Sequence, residues 1–258
     1  MKFQAALYVS LVVSTMPCYG QDSTNHRMWL PTGIGVQAGV GYYAIRDDHI
    51  SNEKYSGPSS WLTLQWSRFH ETYGYRIGMS FQRSSSIKNY NVSAEATVGS
   101  FNVANLYPTG LLTLFGTDIS TYLGPSAEVF LYTRTQNIAQ NPNAAPDVYQ
   151  SGAWLFSMGG RLEMMAPLSR ALQAEGMLQA SILSFGGGTG SSSNSSVAFK
   201  SLTPFTGMHT CLELGIRYSM LTSVSVAVGY RFDLLRINRW NYVLAASDNV
   251  FMSAVYQL

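Results

Sequence analysis

The stretch SVSVAVGYRFDL, residues 223–234, puts Val224, Val226, Val228, Tyr230, Phe232 and Leu234 on one side of an extended chain and Ser223, Ser225, Ala227, Gly229, Arg231 and Asp233 on the other. Side chains alternate across a strand, so the stretch predicts a β-strand with one apolar and one polar or small face. Its β-branched and aromatic apolar side leaves little room for a helix. Such a strand fits a soluble barrel, apolar face inward, or a transmembrane barrel, apolar face to lipid. The stretch alone does not choose between them.

The same period recurs along the chain. The segment at 206–220 sets Met208, Leu212, Leu214, Ile216 and Tyr218 against His209, Cys211, Glu213, Gly215, Arg217 and Ser219, a short turn near Leu221 before the first strand. At 153–165, Trp154, Phe156, Met158, Leu162 and Met164 oppose Ser157, Gly159, Arg161 and Glu163. At 172–182, Leu172, Ala174, Leu178, Ala180 and Ile182 oppose Gln173, Glu175, Gln179 and Ser181. Further strands are read at 33–44, 61–69, 73–82, 101–115, 119–133 and 249–258, which makes ten. Pro108 interrupts the ladder of 101–115 and implies a bulge or an exposed edge.

Connections alternate as well. Those near 71, 117, 168 and 221 are short; those at 47–60, 86–100, 134–151, 186–205 and 236–247 read as long polar loops, the fourth carrying the Gly/Ser-rich run GGGTGSSSNSS. An even-stranded meander with short turns at one end and long loops at the other is the layout of a bacterial outer-membrane barrel, turns facing the periplasm. The start of the chain agrees. Lys2, the apolar run 5–13 and small residues at Cys18 and Gly20 predict a secretory signal peptide over 1–20, then a periplasmic segment over 21–32 and the barrel over 33–258. The apolar run is far short of the ~20 residues of a spanning helix. Cleavage would leave Cys211 without a partner cysteine.

Composition decides which face meets lipid. Only 12% of the residues are charged, about half the usual share in soluble domains. A water-facing barrel exterior carries many lysines and glutamates. Beyond the leader the only lysines are Lys54, Lys88 and Lys200, all in expected loops. The polar faces hold Gly, Ser, Gln and a few Arg and Glu, which suits a crowded interior. Trp154, Tyr73, Tyr75, Tyr218, Tyr230 and Tyr256 sit on apolar faces toward strand ends, where aromatic girdles lie. Val224, Val226 and Val228 are therefore expected to face lipid, with a lipocalin-like soluble barrel as the alternative. Sixteen basic against fourteen acidic residues give no basis for nucleic-acid binding.

With its leader, its alternating strands and the stretch LYPTGLLTLFGTDISTYLGPSAEVFL, the chain resembles the small outer-membrane β-barrel families of Gram-negative bacteria, including the PorT-like group. The likeness is architectural and spans nearly the whole chain past the leader. It implies residence in the outer membrane among lipid and lipopolysaccharide, delivery by the barrel-insertion machinery, and a protein partner in the envelope. Such barrels end in an aromatic residue that the machinery reads; here Leu258 is last and Tyr256 stands two before it.

On the expected inner faces, Glu128, Glu163, Glu175, Glu213 and Asp233 meet Arg76, Arg161, Arg217 and Arg231, with Arg134 near the rim. Isolated buried charges are costly and opposite ones satisfy each other, so these nine are expected to form an ion-pair network filling the lumen. A catalytic reading would use Glu163 and Glu175, which pair across the turn at 168 if that hairpin is regular, as a carboxylate pair. A second would use Asp47, Asp48 and His49 at the outer rim; omptin proteases carry an Asp pair and an Asp–His pair there, but no Asp-x-His matches the second pair here. His209 and Cys211 share the inner face without a further metal ligand. No cofactor motif is present, since GGGTG lacks the strand-to-helix setting and lysine of a phosphate loop. Two functional classes stay open: a non-enzymatic barrel, whether structural, a narrow pore or part of an envelope complex, and an outer-membrane enzyme with a rim site.

Overall fold

The computed structural model describes residues 32–47, 51–70, 72–89, 92–114, 117–138, 147–192, 195–198, 207–237 and 243–258. The leader, nearly all of the 21–32 segment, Asp48 and His49 lie outside these residues, as does the side chain of Asp47. The described chain is all β. Its strands are β1 (Gly33–Asp47), β2 (Ser51–Phe69), β3 (Gly74–Asn89), β4 (Val92–Leu114), β5 (Thr117–Ile138), β6 (Asp147–Pro167), β7 (Leu172–Ser192), β8 (Ser195–Ala198), β9 (Gly207–Ser219), β10 (Val224–Ile237) and β11 (Val243–Gln257). Ten of them form a closed antiparallel barrel in which β1 pairs along its whole length with both β2 and β11. Four-residue β8 pairs only with the outer end of β7.

Thr32, where the described residues begin, meets Leu258 at the end with the short turns. The Phe69 amide donates to Thr32 Oγ1 at 2.9 Å, and the Leu258 amide donates to the Thr32 carbonyl at 3.0 Å. By the layout of outer-membrane barrels this is the periplasmic end. An epitope tag inserted after Ser193 is accordingly expected to bind antibody on intact cells, and a tag after Ser169, in the β6–β7 turn, only after permeabilisation. Labelling at Ser169 alone on intact cells would invert the barrel.

Outward along β1 stand Ile34, Val36, Ala38, Val40 and Tyr42, all exposed. Eight residue steps along a strand tilted by roughly 40° cover about 20 Å of height, close to the apolar band of an outer-membrane barrel. Val224, Val226 and Val228 point outward as the alternation requires, while Ser225 and Ala227 between them are buried. At the periplasmic border Trp66 packs edge-on against Tyr75 with ring centroids 5.0 Å apart. Tyr73 belongs to the turn before β3, its ring 5.0 Å from the His70 ring and tilted 38° to it.

The strands run further outward than hydropathy suggests, which corrects the expected long loops. Much of 47–60, 86–100, 134–151 and 236–247 is strand. The reason is an inversion of polarity with height. Past the apolar band the outer face carries exposed Arg46, Lys54, Arg83, Lys88, Glu95 and Arg236, and the inner face turns apolar. Tyr43, Ile45, Tyr55, Ile87, Phe130, Tyr132, Leu155, Leu235 and Val243 form one buried cluster there. Lys54 and Lys88 are thus on strands, facing water beyond the lipid.

Local irregularities sit where residue chemistry asks for them. The β4–β5 register shifts between Pro108 and Gly110, and Gly110 takes φ = 131°, a conformation that glycine adopts without steric cost. Pro108 therefore marks a bulge, and it lies past Leu106, the last β4 residue paired with β3, so that there β4 pairs with β5 alone. The β6–β7 register shifts at Ile182, so the inner face passes from Ser181 to Ser184. Between Ser84 and Ile87 a third shift turns Ile87 inward.

Candidate functional site

Inside the membrane-spanning part, the polar faces close into a belt of hydrogen bonds and ion pairs. Arg76 on β3 places Nη2 2.9 Å from Glu163 Oε2, and Arg161 Nε donates to the other Glu163 oxygen at 2.7 Å. Arg161 Nη1 donates to Gln179 Oε1 at 3.3 Å, and Gln179 Nε2 to Glu128 Oε2 at 2.6 Å. From Glu128 the belt passes to His209, whose Nδ1 lies 3.0 Å from Glu128 Oε2 and whose Nε2 lies 3.4 Å from Asp233 Oδ1. Arg231 grips Asp233 with Nε at 2.6 Å and Nη2 at 2.8 Å, and reaches Glu213 at 3.6 Å. Glu213 accepts from Gln37 Nε2 at 2.9 Å, which brings the belt round to β1. Alongside it Arg217 forks onto Glu175, with Nε at 2.8 Å and Nη2 at 3.2 Å, and Nη1 donates to Ser225 at 3.0 Å.

All nine charged residues expected on the inner faces make these contacts, seven along the belt and Glu175 with Arg217 beside it. Each strand supplies them by the same rule: side chains of the parity opposite to the lipid-facing set point inward. Reading by charge alone missed His209, which serves as a bridge between two carboxylates. It also missed the roles of Gln179, which bridges Arg161 and Glu128, of Gln37, which donates to Glu213, and of Gln65, which accepts from Arg76 Nη1 at 3.3 Å. The signal was in the sequence, because each of them has the inward parity of its own strand.

Two expectations change. Glu163 and Glu175 do not oppose each other, because the β6–β7 register pairs Glu163 with Met177 and Met165 with Glu175. The four-residue turn 168–171 places the two carboxylates diagonally, and separate arginines hold them. Arg134, placed near the rim by its position, is fully buried in the apolar layer above the belt. His209 is a poor metal ligand here, since a carboxylate occupies each ring nitrogen. Cys211, opposite Asp233 across the β9–β10 pair, is buried with a free thiol.

Aromatic rings complete the wall. The Arg231 guanidinium lies 4.6 Å over the Trp61 ring, and Phe130 meets the His209 ring edge-on at 4.2 Å. Below the belt, Leu106, Tyr122 and Met165 form a second apolar cluster at the periplasmic end. Among the described residues the lumen holds two small cavities of about 40 Å³ each. The first is lined by Tyr43, Trp61, His209 and Arg231, the second by Gln37, Arg76, Glu163 and Arg217, and they share no lining residue. The belt divides the lumen.

Known structures place this architecture. The outer membrane protease OmpT from Escherichia coli superposes with a TM-score of 0.52 at 7% sequence identity, over 91% of this chain and 100% of that one. The fold is that of an outer-membrane β-barrel. The translocator domain of the autotransporter NalP from Neisseria meningitidis matches with a TM-score of 0.45 at 10% identity, over 98% of this chain and 94% of that one. The attachment invasion locus protein Ail of Yersinia pestis matches with a TM-score of 0.34 at 10% identity, over 88% and 99%. No protein-family model and no curated protein sequence matches the chain.

Proposed function

We propose that this chain is a non-enzymatic outer-membrane barrel with a side-chain-filled lumen, a structural or envelope-complex component that presents its outer end to a partner. One observation carries the reading. Glu128, Glu163, Glu175, Glu213 and Asp233 are each held by an arginine, a histidine or a glutamine, at distances from 2.6 to 3.6 Å. A carboxylate so held serves structure: Asp233, opposite the Cys211 thiol, is gripped by Arg231, and Glu163, Glu175 and Glu213, which line the second cavity, are each paired with an arginine. Its surroundings would be lipid and lipopolysaccharide around the apolar band, reached through the barrel-insertion machinery. A protein partner would meet the polar strand ends beyond the lipid.

The belt and the two apolar layers also argue against a wide water path. Purified protein reconstituted into planar bilayers is expected to show no stable channel. Large, steady conductance steps would overturn the filled-lumen reading and make a diffusion pore the better description.

A further inference from the structure

Arg134 stands apart from the belt. It points inward from β5 at 1% exposure, in the apolar layer with Tyr55, Ile87, Tyr132 and Leu155. Its guanidinium lies 4.1 Å from the centroid of the Tyr55 ring. Nη2 donates to Gln136 Oε1 at 2.6 Å, and Gln136 Nε2 donates in turn to the Tyr55 hydroxyl at 3.2 Å. Nε and Nη1 are buried and have no hydrogen-bond partner among the described residues. Its register partners, Ala96 on β4 and Ser151 on β6, are small and uncharged.

The contrast with the four belt arginines is chemical. Each of those touches a carboxylate within 3.6 Å, whereas among the described residues no carboxylate reaches Arg134. A buried cation costs free energy unless an anion and hydrogen bonds accompany it, and a tyrosine face replaces only part of that. Gln136 and Tyr55 fix the guanidinium in one orientation and leave donors free. A planar guanidinium with free N–H groups matches the oxygens of a carboxylate or phosphate. At 1% exposure the guanidinium admits no occupant larger than a small ion.

We propose that Arg134, held by Gln136 and Tyr55, is a binding site for a small oxyanion, a short carboxylate or inorganic phosphate, in the outer half of the lumen. The proposal is independent of whether the barrel is enzymatic.

The test uses the folded full-length barrel in detergent, its thermal unfolding followed with sodium acetate, sodium phosphate or sodium chloride at matched ionic strength. Acetate or phosphate is expected to raise the unfolding temperature of the wild type by roughly 5–10 °C at about a hundredfold excess over Kd. Arg134→Met and Arg134→Gln are expected to lose that response. A response to acetate alone assigns the site to carboxylates, and one to phosphate alone to phosphate. Equal stabilisation by chloride, no response, or an unchanged response in both variants overturns the proposal. With no probe added, both variants should be at least as stable as the wild type, because an unpaired charge has gone. Marked destabilisation of both would show that a carboxylate of the chain already neutralises Arg134, and would also overturn it.

Discussion

Replacing Val228 by arginine is expected to destabilise the inserted barrel by roughly 2–4 kcal/mol, the cost of a cation on the lipid face near the bilayer midplane. Val228 is two pleats above Val224 and three below Leu234 on the outward face of β10, and its register partners Met252 and Ile216 are both exposed. The neighbouring Ala227→Ser substitution points the other way, toward the Arg217 level of the belt, and should be nearly neutral. The two variants are compared by urea unfolding in lipid vesicles and by assembly in the outer membrane. Equal stability would reverse the assignment of the two faces.

Glu163→Ala is expected to cost about 3–5 kcal/mol, because one carboxylate neutralises two arginines in a buried setting. Glu163 is 3% exposed and lies 2.9 Å from Arg76 and 2.7 Å from Arg161. Arg76 would keep its Nη1 bond to Gln65 and the Phe69 ring but no carboxylate, and its buried Nε already has no partner among the described residues. Glu213→Ala should cost less, since Arg231 is 3.6 Å from Glu213 and keeps its two bonds to Asp233. Glu163→Gln should fall between the two. A Glu163→Ala barrel that unfolds at the wild-type urea concentration would show that the belt does not stabilise the fold.

Much of the barrel was legible because its strands obey a single local rule. Wherever an outward face meets lipid, period-2 alternation is stark, as along Val224 to Leu234, and parity alone then fixes which residues share the lumen. Inward placement of Glu128, Arg161, Glu213 and Arg231 followed from that rule, and so did the short turns at one end. What parity does not carry is register. The Glu163–Glu175 pairing failed by a two-residue offset at the turn, and the shifts at Ile182 and Ile87 change parity without any mark in hydropathy.

By itself the sequence determined the all-β class, the lipid-facing set and the charged contents of the lumen, because alternation, the scarcity of lysine and the aromatic borders are properties of single strands. Only the tertiary structure decided who pairs with whom. Closure of the ring brings His209 of β9 between Glu128 of β5 and Asp233 of β10, residues separated by 81 and 24 positions in the chain. The same holds for the outer end. There the strands leave the lipid, water meets the outer face, and the enclosed inner face becomes the dry one, so Tyr55 and Ile87 turn inward beside Arg134. Hydropathy read along one strand loses its signal at that point, because the solvent on each face is set by height in the membrane and by the strands across the lumen.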